Sequence, residues 1–414
     1  MPAYQDRLSW YLGASAYWFI GSAKYFILLL TVLPGQVKAL TPGGAENTTW
    51  GMVVTIGSIW AIFGPAIFGY LSDLVGRRRP FIAAGAGLTL VAFGLLGSAS
   101  SLPMLIAGYL LLQISDDMGQ GAYQAIIPEH VPPERRGRAS GVMAFMELIA
   151  QITIALIAMA LGGVMAIYIA LGTINVLCAG WTLYTLSGTR KVASVDAVRQ
   201  PGSIVAFFRS WTGPWKSRDF VWVWLTRFLS AVGFYCAQLY LKFYLEARFP
   251  DYKVFGMSVG DSGFAVIVLG LAISLFGGIG AIWSARVADQ IGRKRVIYLS
   301  GTTMSVLLVP YALIPNYQII FLLSILFGFA YGAYLGANWA LVADVLPSRD
   351  SLATDMGIWA ATIPLGQAVA GSAGRIVDTL NASSPGMGYT VVFLIGAAMF
   401  FAGTVFVRMV KGSS

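Results

Sequence analysis

Apolar residues run in blocks of about twenty along most of this chain, broken by short stretches rich in Arg, Gly and Pro. A helix needs roughly 20 apolar residues to cross the hydrocarbon core of a bilayer. The blocks therefore predict membrane-spanning helices over 10–34, 48–71, 79–99, 102–128, 138–161, 163–186, 219–247, 260–287, 295–314, 317–346, 351–378 and 387–410. The first block is too long for the core of a cleavable signal, and Lys24 interrupts it, so it reads as a retained span. One long polar gap, 187–218, separates six spans from six. Inside it Ile204, Val205, Phe207, Phe208, Trp211 and Trp215 alternate loosely with Arg209, Lys216 and Arg218. That pattern suits either an amphipathic stretch lying on the membrane surface or a plain linker.

Composition removes the competing classes. Apolar residues make up 57% of the 414 residues and charged residues 11%, against about 25% charged in an average soluble domain. Mean hydropathy is +0.73. A soluble globule this apolar has nothing to cover its surface with, so a soluble enzyme, a disordered chain and a fibrous protein are excluded. Cys178 and Cys236 both lie in apolar runs and make neither a disulfide framework nor a metal site.

The net charge of +9 does not point to nucleic acid, because the basic residues sit in short loops between spans. With the N-terminus inside, 20 of the 27 Lys and Arg fall in cytoplasmic segments and 4 outside. Lys24, Arg227 and Lys242 remain within spans. This bias predicts a multi-pass protein of the cytoplasmic (inner) membrane with both termini in the cytoplasm. Its partners are then the lipid bilayer and a small solute, and the chain is expected to act as a monomer.

A repeat runs through the two halves. Gly69-Tyr-Leu-Ser-Asp73-Leu-Val-Gly76-Arg77-Arg78-Arg79 follows the second span, and Ala285-Arg-Val-Ala-Asp289-Gln-Ile-Gly292-Arg293-Lys294-Arg295 follows the eighth. Asp73 and Asp289 are 216 residues apart, while Glu129 and Asp344, at the ends of the fourth and tenth spans, are 215 apart. Two motifs at one offset argue for homologous halves. The predicted fold is thus an all-α membrane protein of twelve transmembrane helices in two pseudo-symmetric six-helix bundles, 1–186 and 219–414. Such repeats build transporters that work by alternating access. The loop carboxylates can sit against a neighbouring helix N-terminus, and the Arg cluster can pair with acids across the cytoplasmic face. Asp73, Arg77, Arg78, Asp289 and Arg293 are therefore candidates for a conformational latch.

These motifs resemble the major facilitator superfamily over essentially the whole chain. More narrowly, Gly76-Arg77-Arg78-Arg79-Pro80-Phe81-Ile82 resembles sucrose transporters. The stretches Gln120–Glu129, Arg136–Gly141, Gly332–Tyr334 and Ala340–Pro347 are similar to bacterial relatives of glycoside–cation symporters. The resemblance implies secondary transport of a sugar or glycoside coupled to a cation, with the first, fourth, seventh and tenth helices lining a central cavity. The chain departs from those relatives in having no acid in its first two spans, Lys24 in the first, and Asn338 where the tenth often carries Asp.

A charge at bilayer depth costs at least ~2.5–3.5 kcal/mol on insertion scales, so it normally faces a cavity or a partner. Lys24 lies mid-way along the first span, and Asp116 and Asp117 mid-way along the fourth. An ion pair between Lys24 and one aspartate is expected, with the other pointing about 100° away around the helix. Asp116, Asp117 and Glu147 are the candidates for proton coupling. Glu147 is expected to face the cavity or to pair with an Arg near the cytoplasmic end. Arg227 either snorkels to the interface or binds solute, Lys242 and Glu246 form an i,i+4 pair, and His130 faces solvent. Sugar sites combine an aromatic platform with amides, which selects Tyr17, Tyr25, Tyr123, Tyr334 and Trp339 with Gln113, Gln120, Gln124, Gln238 and Asn338. Trp18 and Tyr331 are further cavity-facing aromatics. With Lys24 and Arg227 these form the candidate solute site. No phosphate-binding loop, nucleophile triad or Cys/His cluster is present, so no enzyme activity and no cofactor is expected. The leading expectation is a proton-coupled sugar or glycoside symporter. The alternatives are a carrier of an anionic metabolite recognised by Lys24 and Arg227, an exporter of drugs or amphiphiles, and a membrane receptor or scaffold.

Overall fold

A computed structural model describes residues 7–187, 212–345 and 352–411. Two predicted features lie outside them: residues 204–211 of the linker, and the side chains of Asp289 and Asp344. All twelve predicted spans are helical among the described residues. In the first half α1 (Leu8–Ile27) continues through a π-helical turn, Leu28–Val32, into α2 (Leu33–Leu40). Then come α3 (Glu46–Val75), α4 (Arg79–Gly97), α5 (Leu102–Tyr123), the short α6 (Ile126–His130), α7 (Arg136–Ala160) and α8 (Val164–Ser187). In the second half the helices are α9 (Arg218–Gln238), α10 (Leu241–Arg248), α11 (Ser262–Ile291), α12 (Arg293–Leu313) and α13 (Tyr317–Val345). They are followed by α14 (Leu352–Ala360), α15 (Thr362–Ser372), α16 (Gly374–Ser383) and α17 (Met387–Phe406).

Local sequence explains several boundaries. Prolines at the first positions of α4 and α5 supply the fixed φ that a helix start needs and lack an amide there that would go unused. Ser217 accepts from the Phe220 amide at 3.3 Å and Asp261 from the Phe264 amide at 3.0 Å, capping α9 and α11. One small departure from an all-helical chain is a hairpin, β1 (Lys253–Val254) and β2 (Met257–Ser258). Its turn, Phe255–Gly256, has φ of 49° and 82°, the left-handed pair that matches strand twist.

Among the described residues ten helices are long and apolar enough to cross a membrane. The two remaining spans are α5, which carries Asp116 and Asp117, and the eleventh, which is broken at Ala361 and Ala373 into α14, α15 and α16. Large apolar side chains remain exposed along the long helices, among them Ile169 and Leu177 of α8 and Val306 of α12 at 61–66% exposure. That is the surface lipid requires, and the protein is a multi-pass membrane protein.

The chain forms two compact units, Met1–Leu40 with Ile59–Val198, and Thr41–Ser58 with Arg199–Ser414. Within the first, α1 packs on α7 and α8, and α4 on α5 and α8. Within the second, α11 packs on α13, and α17 on α9 and α12. The start of α3 belongs to the second unit: the Trp50 indole donates to the Leu239 carbonyl at 2.8 Å. The Asp378 carboxylate of α16 accepts from Asn47 Nδ2 at 2.8 Å and from the Thr48 amide at 2.7 Å.

Candidate functional site

Each unit buries a polar cluster of its own. In the first, Gln113, Asp116, Asp117 and Gln120 recur at three- and four-residue intervals, which on one helix brings them to neighbouring positions. The Lys24 ammonium of α1 forms an ion pair with Asp116, with side-chain exposures of 2% and 9%. The next residue, Tyr25, donates its hydroxyl to Gln113 Oε1. Asp117 turns instead to α3, where its carboxylate and the Trp60 indole lie over Gly64. A side chain on Gly64 would collide with that carboxylate. Asp117 and the Trp60 indole N–H are buried beside each other, and Gln120 Oε1 is buried without a hydrogen-bond partner.

Other first-unit candidates make contacts of their own. Tyr17 and Tyr123 contact each other at 5.4 Å between ring centroids, and the Tyr123 hydroxyl donates to the Ala14 carbonyl at 2.8 Å. Glu147 neither faces open space nor pairs with an Arg: it accepts from the Trp18 indole at 3.0 Å, a partner supplied by α1 packing on α7. Gln124, just past α5, is exposed and stands apart from the cluster.

In the second unit Arg227 of α9 is 4% exposed and does not reach an interface. Its guanidinium lies 3.7 Å from the Trp359 ring centroid and 5.8 Å from that of Trp339. Arg227 Nη1 donates to Asn338 Oδ1 at 3.3 Å, and Asn338 Nδ2 donates to the Tyr334 hydroxyl at 3.3 Å. Arg227 Nε and Trp359 Nε1 are buried without partners. Trp339 is half exposed beside Trp359, and Tyr331 stacks on Phe234 at 4.4 Å. Gln238, the last residue of α9, is half-buried. Lys242 and Glu246 are 3.7 Å apart, as their spacing predicts.

The loop motif takes an unexpected form. Arg78 pairs with Asp73 of its own loop and, at 2.8 Å, with Glu129 of α6, and its Nη1 donates to Ser72 Oγ at 2.5 Å. Burial disfavours the Arg78 cation, but the hydrogen bond and charge of Glu129, with the charge of Asp73, outweigh it and raise its pKa. All of these partners lie within the first unit, so Arg78 is engaged locally. Arg77 is exposed. Arg293, at the first position of α12, is half-buried. His130 does not face solvent: it is 7% exposed and its Nδ1 lies 3.0 Å from the Ile126 carbonyl oxygen one turn earlier in α6.

Trp60 and Trp359 escape sequence reasoning. Trp60 stands one helical turn before Gly64, but nothing in the sequence says that Gly64 meets Asp117. Trp359 lies on a helix with no polar periodicity to mark it.

The family model described as Major Facilitator Superfamily matches residues 14–276 and 250–412. Myo-inositol transporter 3A of Cryptococcus neoformans var. grubii serotype A is 31% identical over 153 residues, 34% of this chain. The match spans about a quarter of that transporter, 24% of its length. The putative niacin/nicotinamide transporter NiaP of Bacillus subtilis is 26% identical over 274 residues, 63% of this chain and 62% of that protein. Among solved structures, nucleoside transporter NupG aligns with a TM-score of 0.73 at 15% identity, covering 97% of this chain and 99% of that one.

Proposed function

This chain belongs to the Major Facilitator Superfamily, and we propose that it is a secondary active transporter that moves a small polar solute, a sugar, glycoside or related polyol, by alternating access coupled to protons. The observation that carries this reading is the buried cluster on α1 and α5. Gln120 Oε1 is an acceptor sealed from water with no donor, and Asp117 has the Trp60 indole as its neighbouring donor; the unmet acceptor is costly unless a ligand supplies a donor. Hydroxyl groups are such donors. The myo-inositol transporter named above is a relative of matching chemistry.

Coupling follows from charge balance. Two carboxylates, Asp116 and Asp117, lie beside one ammonium, Lys24. A negative charge left over at membrane depth is expensive, so a proton on the aspartates balances it. Release of that proton to the cytoplasm, tied to solute movement, makes the pair a coupling element. The Lys and Arg bias supports a cytoplasmic-membrane location with both termini in the cytoplasm. Arg78 with Asp73 and Glu129 serves as the cytoplasmic latch in this scheme, with Asp289 and Arg293 as the counterparts in the second half. The working unit is the monomer.

The test is uptake into proteoliposomes under an imposed inward proton gradient, with myo-inositol, glucose and a glycoside as probes. Accumulation is expected for at least one, abolished by dissipating the gradient. Asp117→Asn is expected to keep solute exchange at equal concentrations and to lose accumulation. Accumulation untouched by both manipulations overturns proton coupling at this cluster, and no uptake of any probe overturns the sugar reading.

A further inference from the structure

Arg227 is a cation with no counter-charge among the described residues. It is 4% exposed on a membrane-spanning helix, and no carboxylate pairs with it among the described residues. A charge so placed normally has an opposite partner. Its guanidinium has the Trp359 ring on one face and one hydrogen bond, from Nη1 to Asn338. Asn338 is held for this task, since its amide nitrogen is committed to the Tyr334 hydroxyl and its carbonyl oxygen therefore turns to Arg227. Arg227 Nε and Trp359 Nε1 remain, two N–H donors buried without acceptors, and they belong to groups that lie against each other. A structural arginine would have filled these positions from the protein.

We propose that Arg227, Asn338 and Trp359 form a seat for the carboxylate of an organic monoanion, so that within the sugar and polyol class the solute is the acid form, a hydroxylated carboxylate. This deepens the transporter reading and rests on it. The carboxylate class follows from charge and shape. A single buried cation balances a single negative charge, whereas a phosphate monoester would leave the site negative at membrane depth. The Nε edge of guanidinium presents two parallel N–H bonds that fit the two oxygens of a planar carboxylate. The indole N–H of Trp359 adds a third donor. The aromatic walls exclude water, which strengthens the charge-assisted contacts.

The experiment compares matched acid and neutral probes on the full chain purified in detergent, by isothermal titration and thermal shift: glucuronate against glucose, and gluconate against sorbitol. Inorganic phosphate and sulfate are run alongside. The acids are expected to bind at least about tenfold tighter than their neutral partners, and Arg227→Gln to erase that preference. Trp359→Phe keeps the ring but removes the N–H, and is expected to weaken acid binding severalfold. If Arg227→Gln does not fold, Trp359→Phe and Asn338→Ala decide by the same measure. Equal binding of acid and neutral probes, or a preference that survives these substitutions, overturns the seat. Phosphate or sulfate binding as tightly as glucuronate, with the same Arg227 dependence, overturns the carboxylate class. The two readings fail separately. Neutral sugars that bind and accumulate, with no acid preference, remove the seat and leave the transporter. Acid binding that depends on Arg227, with no uptake of acid or neutral probes into liposomes, removes the transporter and leaves the seat.

Discussion

Lys24 on α1 and Asp116 on α5 form an ion pair, with side-chain exposures of 2% and 9%, in the middle of two membrane-spanning helices. Asp117, next in sequence, has no share in that pair and turns to Trp60 and Gly64 on α3. Neighbouring carboxylates thus have different situations: Asp116 carries a full counter-charge, and Asp117 has a neutral indole beside it.

Removing one member of the Lys24–Asp116 pair leaves a buried charge alone, which typically costs ~3–5 kcal/mol. Lys24→Ala and Asp116→Asn are each expected to lower the melting temperature in detergent sharply. The double substitution is expected to recover most of the loss, since both charges are then gone. A double mutant no more stable than the worse single mutant would falsify the pairing.

Asp117→Asn has the opposite expectation. It removes a carboxylate that Lys24 does not neutralise, and the amide can donate as well as accept. Its effect on melting is expected within about 1 kcal/mol of neutral, or stabilising, in contrast to Asp116→Asn. Comparing the two melts under one buffer settles this, and a loss for Asp117→Asn equal to that for Asp116→Asn contradicts it.

Gly119 lies under the Tyr17 hydroxyl, and a methyl group there would occupy the place of that oxygen. Gly119→Ala is expected to cost about 1–3 kcal/mol by overpacking. Combining it with Tyr17→Phe, which deletes the obstructing oxygen, should restore part of that loss. Additive losses in thermal melts would show that the two residues do not meet.

Arg78 and Arg77 are adjacent yet unequal. Arg78→Ala strips the partner from Asp73 and Glu129 and is expected to cost about 1–3 kcal/mol. Arg77→Ala, at an exposed position, is expected to stay within about 0.5 kcal/mol. Melting temperatures of the two variants, side by side, check the ranking.

Asp378 acts as a cap supplied from another helix, since α16 brings its carboxylate to the first-turn amide of Thr48 and to Asn47. Asp378→Ala is expected to cost about 0.5–2 kcal/mol, the usual worth of an N-cap. The loss should be local, with faster hydrogen exchange at the start of α3 and little change in α1 or α5. Uniform acceleration across the chain would point to a global role instead.

The spans, their number and the presence of two related halves follow from sequence because they rest on local quantities. A membrane helix satisfies its own backbone and needs only a run of apolar side chains, and a repeat is visible at a fixed offset. Charge at depth was equally legible: Lys24, Asp116, Asp117 and Arg227 stand out because they interrupt long, mainly apolar runs. What those charges touch depends on which helices pack together and on their rotation about their axes, and no periodicity encodes either. Packing of α1 on α7 gave Glu147 the Trp18 indole in place of an arginine. The short helix α6 brought His130 to its own Ile126 carbonyl and out of solvent. Close approach at Gly64 set Asp117 apart from Asp116, and the rotation of α9 and α14 brought Arg227 onto Trp359. Sequence determined where polar groups enter the membrane because insertion energy is additive along the chain. Tertiary structure decided their partners because pairing energy depends on distances of a few ångströms between residues far apart in sequence.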